Sequence, residues 1–454
     1  MTAAIETRSN RWRRLGAEGF WIALGQAAVV AGSLVLVRVL TGAMAPADYG
    51  RLALGLTIAG LANQMVTGSI SNALSRFWSI ADERGDRDNY IAAARRAMAI
   101  AFLAIIALAC GLLLFLRIAG FAEWTAIAIA ALALALSSGL NAALNGIQTA
   151  ARQRKIVAFH SAADAWLKIG LALLFLRVFG IGGDRAIWGY ALSATLVSLS
   201  QIFFLRRLLM RRAAQPAAVH AVSQTPRQWI NDFWTYAWPF MGWGLFTWLQ
   251  TSSDRWALQV FAGPTEVGKY AVLYQLGFAP LTTASGLLVT LLTPIMFQKA
   301  GDASDAGRIA QVYDATARIA RAMLGLTVAA TVIFLLLHDW IFAMFTSGQF
   351  RTSSHLMPLM AAAAGLQACH HVLGIRISSL LKTRSLLVPQ ILSAISFAAL
   401  NTAGAYLAGL TGLMIALCLA SALYAGWMWA LSHALKPHEL KRTHPSVGST
   451  ECAS

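Results

Sequence analysis

Long apolar blocks constrain this chain more than any other feature of its sequence. The blocks are about 20 residues long, which is the length that an α-helix needs to cross the hydrocarbon core of a bilayer. Charged residues make up only 12% of the chain, against about 25% in soluble domains. A membrane β-barrel is excluded, because its strands alternate apolar and polar residues. We therefore predict an all-α, polytopic membrane protein. The twelve predicted helices span residues 19–40, 52–75, 95–116, 122–144, 158–179, 186–205, 235–259, 267–297, 319–338, 354–375, 385–409 and 411–434.

The net charge of +17 is explained by membrane topology. Lysines and arginines concentrate in the N-terminal tail, in the loops after the even-numbered helices and in the C-terminal tail. The positive-inside rule places such segments in the cytoplasm, so both termini are predicted to be cytoplasmic. A nucleic-acid partner is not indicated. The four cysteines have no paired spacing, so we predict neither a disulfide framework nor a metal site, and no cofactor.

An octapeptide in the first half of the chain is repeated in the second. Pro46–Ala53 (P-A-D-Y-G-R-L-A) and Pro264–Ala271 (P-T-E-V-G-K-Y-A) share proline, acid, glycine, base and alanine in the same order. Shorter echoes link Ala94–Met98 to Ala320–Met323 and Gly146-Ile147 to Gly374-Ile375. Such repeats predict a duplication. Two copies with six helices each have the same orientation, related by a pseudo-twofold axis along the membrane normal.

The predicted domains follow from this duplication. They are a cytoplasmic basic tail (1–18), an N-terminal six-helix lobe (19–205), a cytoplasmic linker (206–228), a C-terminal six-helix lobe (229–434) and a second cytoplasmic tail (435–454).

Two intramembrane arginines occupy matching places in the two halves. Arg38 and Arg255 each lie shortly before a copy of the octapeptide. They either extend to the membrane interface, as long basic side chains near helix ends do, or line a central cavity. Asp254 is expected on a different helical face from Arg255, where it can bond a neighbouring helix.

The second predicted helix is unusually polar, since it carries Asn63, Gln64, Thr67 and Ser71. Asn63, Thr67 and Ser71 recur every four residues and therefore share one face of the helix. We expect that face to point into a protein or water interior, because polar groups in contact with lipid are costly.

The fifth predicted helix carries His160, Asp164 and Lys168 at steps of four. These residues form either a proton or cation relay or a self-neutralising pair that serves packing. In the eighth helix, Pro280 is near the middle of the span and predicts a kink or hinge.

Catalytic motifs are not indicated. Gly263–Lys269 (G-P-T-E-V-G-K) matches the first seven positions of a P-loop, but Tyr270 replaces the required Ser or Thr and no strand precedes it. No carboxylate pair or nucleophile triad is recognisable, and the predicted outer loops are short. We therefore predict that the chain is not an enzyme.

Several short motifs resemble bacterial lipid-linked oligosaccharide flippases (Wzx-type polysaccharide transporters). They are Arg38–Leu40 with Pro46, Tyr49 and Gly50, then Ser75-Arg76-Phe77, and in the second half Asp254-Arg255 with Gly268-Lys269-Tyr270. The resemblance implies the fold of the superfamily that also contains multidrug and toxin extrusion exporters and lipid II flippases. In that fold, two six-helix lobes surround a cleft that opens alternately to each side of the membrane.

The resemblance also implies a function. The expected substrate is an undecaprenyl-diphosphate-linked oligosaccharide, moved across the bacterial inner membrane for O-antigen (lipopolysaccharide), capsule or exopolysaccharide assembly. Proton or sodium coupling and glycan-assembly partners are further expectations. The predicted substrate-binding residues are Arg38, Arg255, Lys168, Asn63 and Gln64. The predicted ion-coupling residues are Asp164, His160 and Asp254, and the predicted hinge is Pro280.

Two alternative functions remain open from the sequence. A multidrug exporter of the same fold would need an acid-rich cavity, and only Asp164 and Asp254 are available inside the membrane. A membrane-embedded glycan polymerase or ligase is disfavoured by the short outer loops.

Overall fold

A computed structural model describes residues 8–213, 224–301, 305–381 and 383–435. The predicted tails at 1–18 and 435–454 and the predicted linker at 206–228 fall partly outside these residues. The α-helices of the described residues are α1 (Arg8–Ala43), α2 (Pro46–Ala62), α3 (Gly68–Arg84), α4 (Arg87–Ile118), α5 (Thr125–Ala150), α6 (Arg154–Phe179), α7 (Gly183–Ala213), α8 (Pro226–Phe261), α9 (Pro264–Leu273), α10 (Ala279–Ala300), α11 (Ala306–Phe345), α12 (Met357–Ser379) and α13 (Leu387–Ala434).

Short irregular helices join some of these elements. The segments Asn63–Thr67 and Tyr274–Phe278 are π-helical and continue α2 into α3 and α9 into α10. Three 3₁₀ segments complete the helical structure: Ala122–Trp124, Gly348–Leu356 and Thr383–Leu386.

All twelve predicted spans coincide with helical segments, and the all-α fold is confirmed. Eight helices of the described residues are long and apolar enough to cross a membrane. The continuous α2–α3 segment, α6 and α8 are not among the eight, and these are helices that carry predicted site residues. Their polar and charged side chains lower the apolar content of the segment. That all twelve segments cross the membrane remains a prediction.

Helix α13 contains the boundary between two predicted spans. Its 48 residues would measure about 72 Å as a straight helix, more than twice the thickness of a bilayer core. Ala408 and Gly409 have non-helical dihedral angles, and Gly409 has a φ of 55°. A Cβ atom on Gly404 would lie 2.5 Å from the carbonyl oxygen of Gly412, so the chain reverses here. The predicted break between residues 409 and 411 matches this reversal.

The chain divides into two compact units. Unit 1 comprises Met1–Val272 and Phe342–Arg351, and unit 2 comprises Leu273–Ile341 and Thr352–Ser454. In unit 1, α5 packs on α7, α1 on α6, and α3 on α5. Small residues permit close contact: a Cβ atom on Gly189 of α7 would lie 2.6 Å from the backbone of Ala172 in α6. Close approach at glycine is typical of helix packing in membranes. The predicted six-helix lobes remain a prediction.

In unit 2, α12 packs on α10 and α13, and a buried arginine joins these elements to α11. Arg376 donates through Nε to Thr316 Oγ1 (2.8 Å) and through Nη1 to Ser432 Oγ (3.3 Å). Its guanidinium carbon lies 4.6 Å from the ring centroid of Tyr313. The Tyr313 hydroxyl donates to the carbonyl of Ser432 at 2.7 Å. Arg376 therefore stabilises the junction of α11, α12 and α13.

The turns after α5 and after α12 share an unusual backbone conformation. Arg152 has a φ of 60° and Leu381 has a φ of 58°, and among the described residues these are the non-glycine residues with positive φ. Both follow the echoed Gly-Ile pairs of the sequence, Gly146-Ile147 and Gly374-Ile375. A left-handed conformation is rare for a residue with a side chain, so its recurrence at equivalent turns supports the predicted duplication.

Candidate functional site

The repeated octapeptides begin α2 and α9, and their glycines lie in reciprocal contact within unit 1. Pro46 and Pro264 open the two helices, a position where the missing N–H is not needed. A Cβ atom on Gly50 would overlap the carbonyl oxygen of Pro264, and a Cβ atom on Gly268 would overlap that of Pro46. Contacts in which i meets j and j meets i define a local twofold relation. Glycine is therefore required at both positions for the helices to approach.

Asp254 and Arg255 of α8 lie beside this contact and form a buried ion pair. Arg255 Nη1 lies 3.2 Å from Asp254 Oδ1, and the side chains are 12% and 4% exposed. Asp254 Oδ2 also accepts a hydrogen bond from the Tyr270 hydroxyl of α9. The expectation that Asp254 bonds a neighbouring helix agrees with this contact. As consecutive residues of α8 the two start from different faces of the helix, and the long Arg255 side chain turns back toward the Asp254 carboxylate.

Arg255 makes two further contacts in unit 1. Its Nη1 donates to the carbonyl oxygen of Thr251 at 2.9 Å, and its guanidinium carbon lies 5.6 Å from the ring centroid of Tyr270. Hydrogen bonds and a nearby aromatic ring reduce the cost of burying this charge.

Arg38 has a different environment from Arg255. Its side chain is exposed, and Nη1 donates to the carbonyl oxygen of Thr346, directly after α11. The adjacent Ser347 hydroxyl donates to the carbonyl of Thr41 at 2.6 Å, and Tyr49 packs edge-on against Phe350. Segment Phe342–Arg351 is thus attached to the junction of α1 and α2. Arg38 and Arg255 occupy matching sequence positions but bind different partners.

The polar face of the second predicted helix packs against α5. Asn63 Nδ2 donates to Ser138 Oγ at 2.8 Å, and Thr67 Oγ1 donates to Asn63 Oδ1 at 2.8 Å. A Cβ atom on Gly139 would lie 2.7 Å from the Thr67 side chain. This face points into the protein interior, as expected from its polarity. The π-helical geometry at Asn63–Thr67 was not predicted; such bulges occur frequently at functional sites.

Two polar residues of the second predicted helix, Gln64 and Ser71, each have a buried side-chain oxygen without a hydrogen-bond partner among the described residues. In Gln64 this oxygen is Oε1. The backbone of Gln64 packs against Gly244 of α8, and Trp248 one turn further donates through Nε1 to the carbonyl of Thr57 at 2.7 Å. An unpaired buried amide oxygen is costly to the stability of the protein.

The predicted His160, Asp164 and Lys168 face lies between α6 and α7. Lys168 Nζ lies 2.5 Å from Asp164 Oδ2, and Ser193 of α7 donates to Asp164 Oδ1 at 3.1 Å. His160 is buried, with Nδ1 2.8 Å from the carbonyl of Ile156 and Nε2 3.0 Å from Ser200 Oγ. Within the described residues no hydrogen bond joins His160 to Asp164. The geometry brings Asp164 and Lys168 together and gives His160 separate partners.

The predicted hinge residue, Pro280, lies in the first turn of α10. It directly follows the π-helical segment Tyr274–Phe278, which the sequence did not predict. The predicted span is therefore irregular just before Pro280, a residue that cannot donate a backbone hydrogen bond. Its role as a hinge remains a prediction.

Two buried charged residues were missed from the sequence. Arg376 was assigned to the loop after the tenth predicted helix, because we ended that helix at residue 375, four residues before the end of α12 at Ser379. Asp86 was interpreted as part of a solvated connection, yet its Oδ2 accepts from Trp229 Nε1 at 2.9 Å and from the backbone N of Gln224 at 2.8 Å. No local sequence pattern distinguishes these residues from exposed charges, because their partners are distant in sequence.

The structure aligns with solved transporters over almost its whole length. A multidrug resistance MATE family transporter of the MOP superfamily, in an inward-facing conformation, superposes with a TM-score of 0.62 at 15% identity over 93% of this chain and 96% of that chain. A mutant of the Vibrio cholerae MATE transporter VcmN gives 0.58 at 15% identity over 95% and 97%. A MOP superfamily transporter from Pyrococcus furiosus, described as having a binding pocket of reverse polarity that suggests a different function, gives 0.58 at 14% identity over 92% and 95%.

These similarities show that the fold of this chain resembles that of MOP superfamily transporters. The profile of the polysaccharide biosynthesis protein family matches residues 15–299, which is more than half of the sequence. The chain therefore belongs to the polysaccharide biosynthesis protein family, and the resemblance to this family is confirmed. No curated protein has a matching sequence.

Proposed function

We propose that this protein moves an undecaprenyl-diphosphate-linked oligosaccharide from the inner to the outer leaflet of the bacterial inner membrane. The family match over residues 15–299 carries this proposal, and the fold supports transport. The substrate combines a polar glycan and a charged diphosphate with a lipid tail. Its passage requires polar, cationic groups inside the protein, since bare charges in hydrocarbon are costly.

Arg38, Arg255 and Lys168 are the proposed cationic contacts of this substrate, and Asn63 and Gln64 are proposed to hydrogen-bond its polar part. The exposed Arg38 and the unpaired Gln64 Oε1 give the strongest support. Asp164, His160 and Asp254 are proposed to carry the coupling ion, and Pro280 to act as a hinge. A transport rate that does not change with pH or membrane potential would contradict the coupling proposal.

The first experiment is complementation of a bacterial strain that lacks its own oligosaccharide flippase. We expect the wild-type protein to restore surface polysaccharide and the Arg255→Ala variant to leave untranslocated lipid-linked glycan in the membrane. Arg51→Ala removes an arginine whose side chain is 52% exposed and serves as the matched control. Normal surface polysaccharide in the Arg255→Ala strain, at equal protein abundance, would contradict the assigned role of Arg255.

A multidrug exporter is the second candidate, because the fold is similar to that of MATE transporters. Such an exporter would raise the resistance of a sensitive strain to cationic drugs. We expect no change in drug resistance on expression of this protein, and restoration of resistance without restoration of polysaccharide would favour the exporter.

A further inference from the structure

A cavity of about 630 Å³ in unit 1 is lined by three arginines. It lies between the end of α3, the turn from α5 to α6, and α8. Arg76, Arg152 and Arg154 contribute the charge, and Ser75, Thr149 and Tyr236 contribute hydroxyl groups. Among the described residues that line it there is no carboxylate. Three positive charges and several hydroxyl groups thus line this open cavity.

Two of these three arginines, Arg76 and Arg152, are not neutralised by acids of the described residues. Within the described residues, the side chains of Arg76 and Arg152 form no hydrogen bond or ion pair. The acids at the end of α3 have other partners, since Asp82 Oδ1 accepts from Arg87 Nε at 2.6 Å and Asp86 accepts from Trp229. The cavity therefore presents a net positive charge.

The backbone fixes the position of one of these arginines. Arg152 adopts a φ of 60°, a left-handed conformation that is unfavourable for a residue with a side chain. The turn is held by the N–H of Ala151 on the carbonyl of Ile147 (2.8 Å) and by the N–H of Gln153 on the carbonyl of Gln148 (2.9 Å). Helix α6 begins directly afterwards at Arg154, and the N-terminus of a helix favours an anion.

An aromatic wall faces the arginines. The Tyr236 ring packs edge-on against Phe77 (centroids 5.8 Å apart) and at a tilt of 34° against Phe240 (centroids 5.3 Å apart). These contacts hold the Tyr236 side chain in place at the cavity. The site therefore combines cationic donors with an apolar surface, which suits a phosphate group attached to a lipid.

We propose that this cavity binds the diphosphate of the lipid-linked substrate before translocation. The inference rests on the proposed function and adds a loading site that is separate from Arg38 and Arg255. Arginine forks bind phosphate oxygens with paired hydrogen bonds. The cavity lies on the membrane side that the distribution of lysine and arginine assigns to the cytoplasm, where the substrate is assembled according to the proposed function.

The test is a binding measurement on the full-length protein in nanodiscs of zwitterionic lipid. The probe is a fluorescent undecaprenyl diphosphate, and phosphatidylglycerol and inorganic pyrophosphate are the competitors. We expect Arg76→Gln and Arg152→Gln each to weaken probe binding on the order of tenfold, because each removes charge-assisted hydrogen bonds.

Arg206→Gln removes an exposed arginine on the same predicted side but outside the cavity, and we expect it to bind the probe as the wild type does. Arg152→Asn keeps a residue type that tolerates positive φ and separates the loss of charge from the loss of the turn; it is expected to bind as weakly as Arg152→Gln.

Pyrophosphate competition with weak competition by phosphatidylglycerol would support a diphosphate site. Equal competition by phosphatidylglycerol would identify a site for anionic headgroups in general and overturn the assignment to the substrate. Unchanged binding in Arg76→Gln and Arg152→Gln would also overturn it.

Complementation of surface polysaccharide by the same variants separates this inference from the proposed function. If the wild type restores surface polysaccharide and the cavity variants bind the probe and restore polysaccharide as the wild type does, the proposed loading site is wrong and the proposed function is supported. If the wild type binds the probe through these arginines but does not restore surface polysaccharide, the diphosphate site is supported and the proposed function is contradicted.

Discussion

Asp254 and Arg255 show how burial changes the contribution of an ion pair to the stability of the protein. Both side chains are nearly inaccessible, and each has other hydrogen-bond partners. Removing one partner of such a pair leaves an uncompensated buried charge, whereas removing both does not. Stability and function are therefore coupled at this position.

A double-mutant cycle measures this coupling. We expect Asp254→Ala to destabilise the protein by about 3–5 kcal/mol, and the variant that also carries Arg255→Ala to be less destabilised than the sum of the single changes. The exposed pair of Asp48 and Arg51, at 3.8 Å, provides the control and should contribute less than about 1 kcal/mol. Chemical or thermal unfolding in detergent gives the values. Additive effects at Asp254 and Arg255 would show that the pair is not coupled.

Gln64 gives a prediction in which stability and activity change in opposite directions. Its Oε1 is buried without a partner among the described residues, so Gln64→Met removes an unsatisfied group that costs about 1–3 kcal/mol. We expect a higher melting temperature and reduced transport. Asn72→Met, at an exposed polar position of α3, should not raise the melting temperature. A more stable Gln64→Met protein with full transport would remove Gln64 from the substrate contacts.

The residue types at the site were accessible from the sequence, but their pairing was not. The i, i+4 spacing predicted the contact of Lys168 with Asp164, because helical geometry fixes it locally. The separate partners of His160 depend on how α7 packs on α6, with Ser200 forty positions away. Asp86 and Arg376 were missed for the same reason.

At the scale of elements, the glycine contact between α2 and α9 is the sharpest constraint. Gly50→Ala is expected to separate the two helices or to unfold the region, at a cost of at least about 1–3 kcal/mol, because the added Cβ atom meets a backbone carbonyl that cannot rotate away. Gly60→Ala in the same helix adds a Cβ atom with nothing within 4 Å and is expected to be neutral. Melting temperature and complementation of surface polysaccharide are the measurements. Equal behaviour of the two variants would contradict the close contact.

Apolar periodicity located every helix of the described residues but not their irregularities. The reversal at Gly409 lies at the predicted break between the spans that end at residue 409 and begin at residue 411. The two π-helical segments have no distinct local signature, and α1 begins at Arg8 rather than near residue 19 because basic residues extend a helix beyond its apolar part. Helix ends thus depend on side chains outside the membrane.

At the scale of the whole molecule, charge distribution predicts orientation. Single cysteines introduced at Arg117 and Arg206, in a background without native cysteines, test it. We expect an impermeant maleimide to label the Arg117→Cys variant in intact cells and the Arg206→Cys variant only after permeabilisation, since basic loops remain in the cytoplasm. The opposite pattern would invert the topology and place the arginine cavity on the outer side.

The reciprocal contact of Gly50 and Gly268 has a consequence for the diversification of this chain. Every other amino acid is larger than glycine, so a substitution at either position disrupts the contact between α2 and α9. No series of small changes at these two positions can therefore produce a different contact. A change of substrate preference must therefore come from the residues around this contact, while the glycine pair itself stays unchanged.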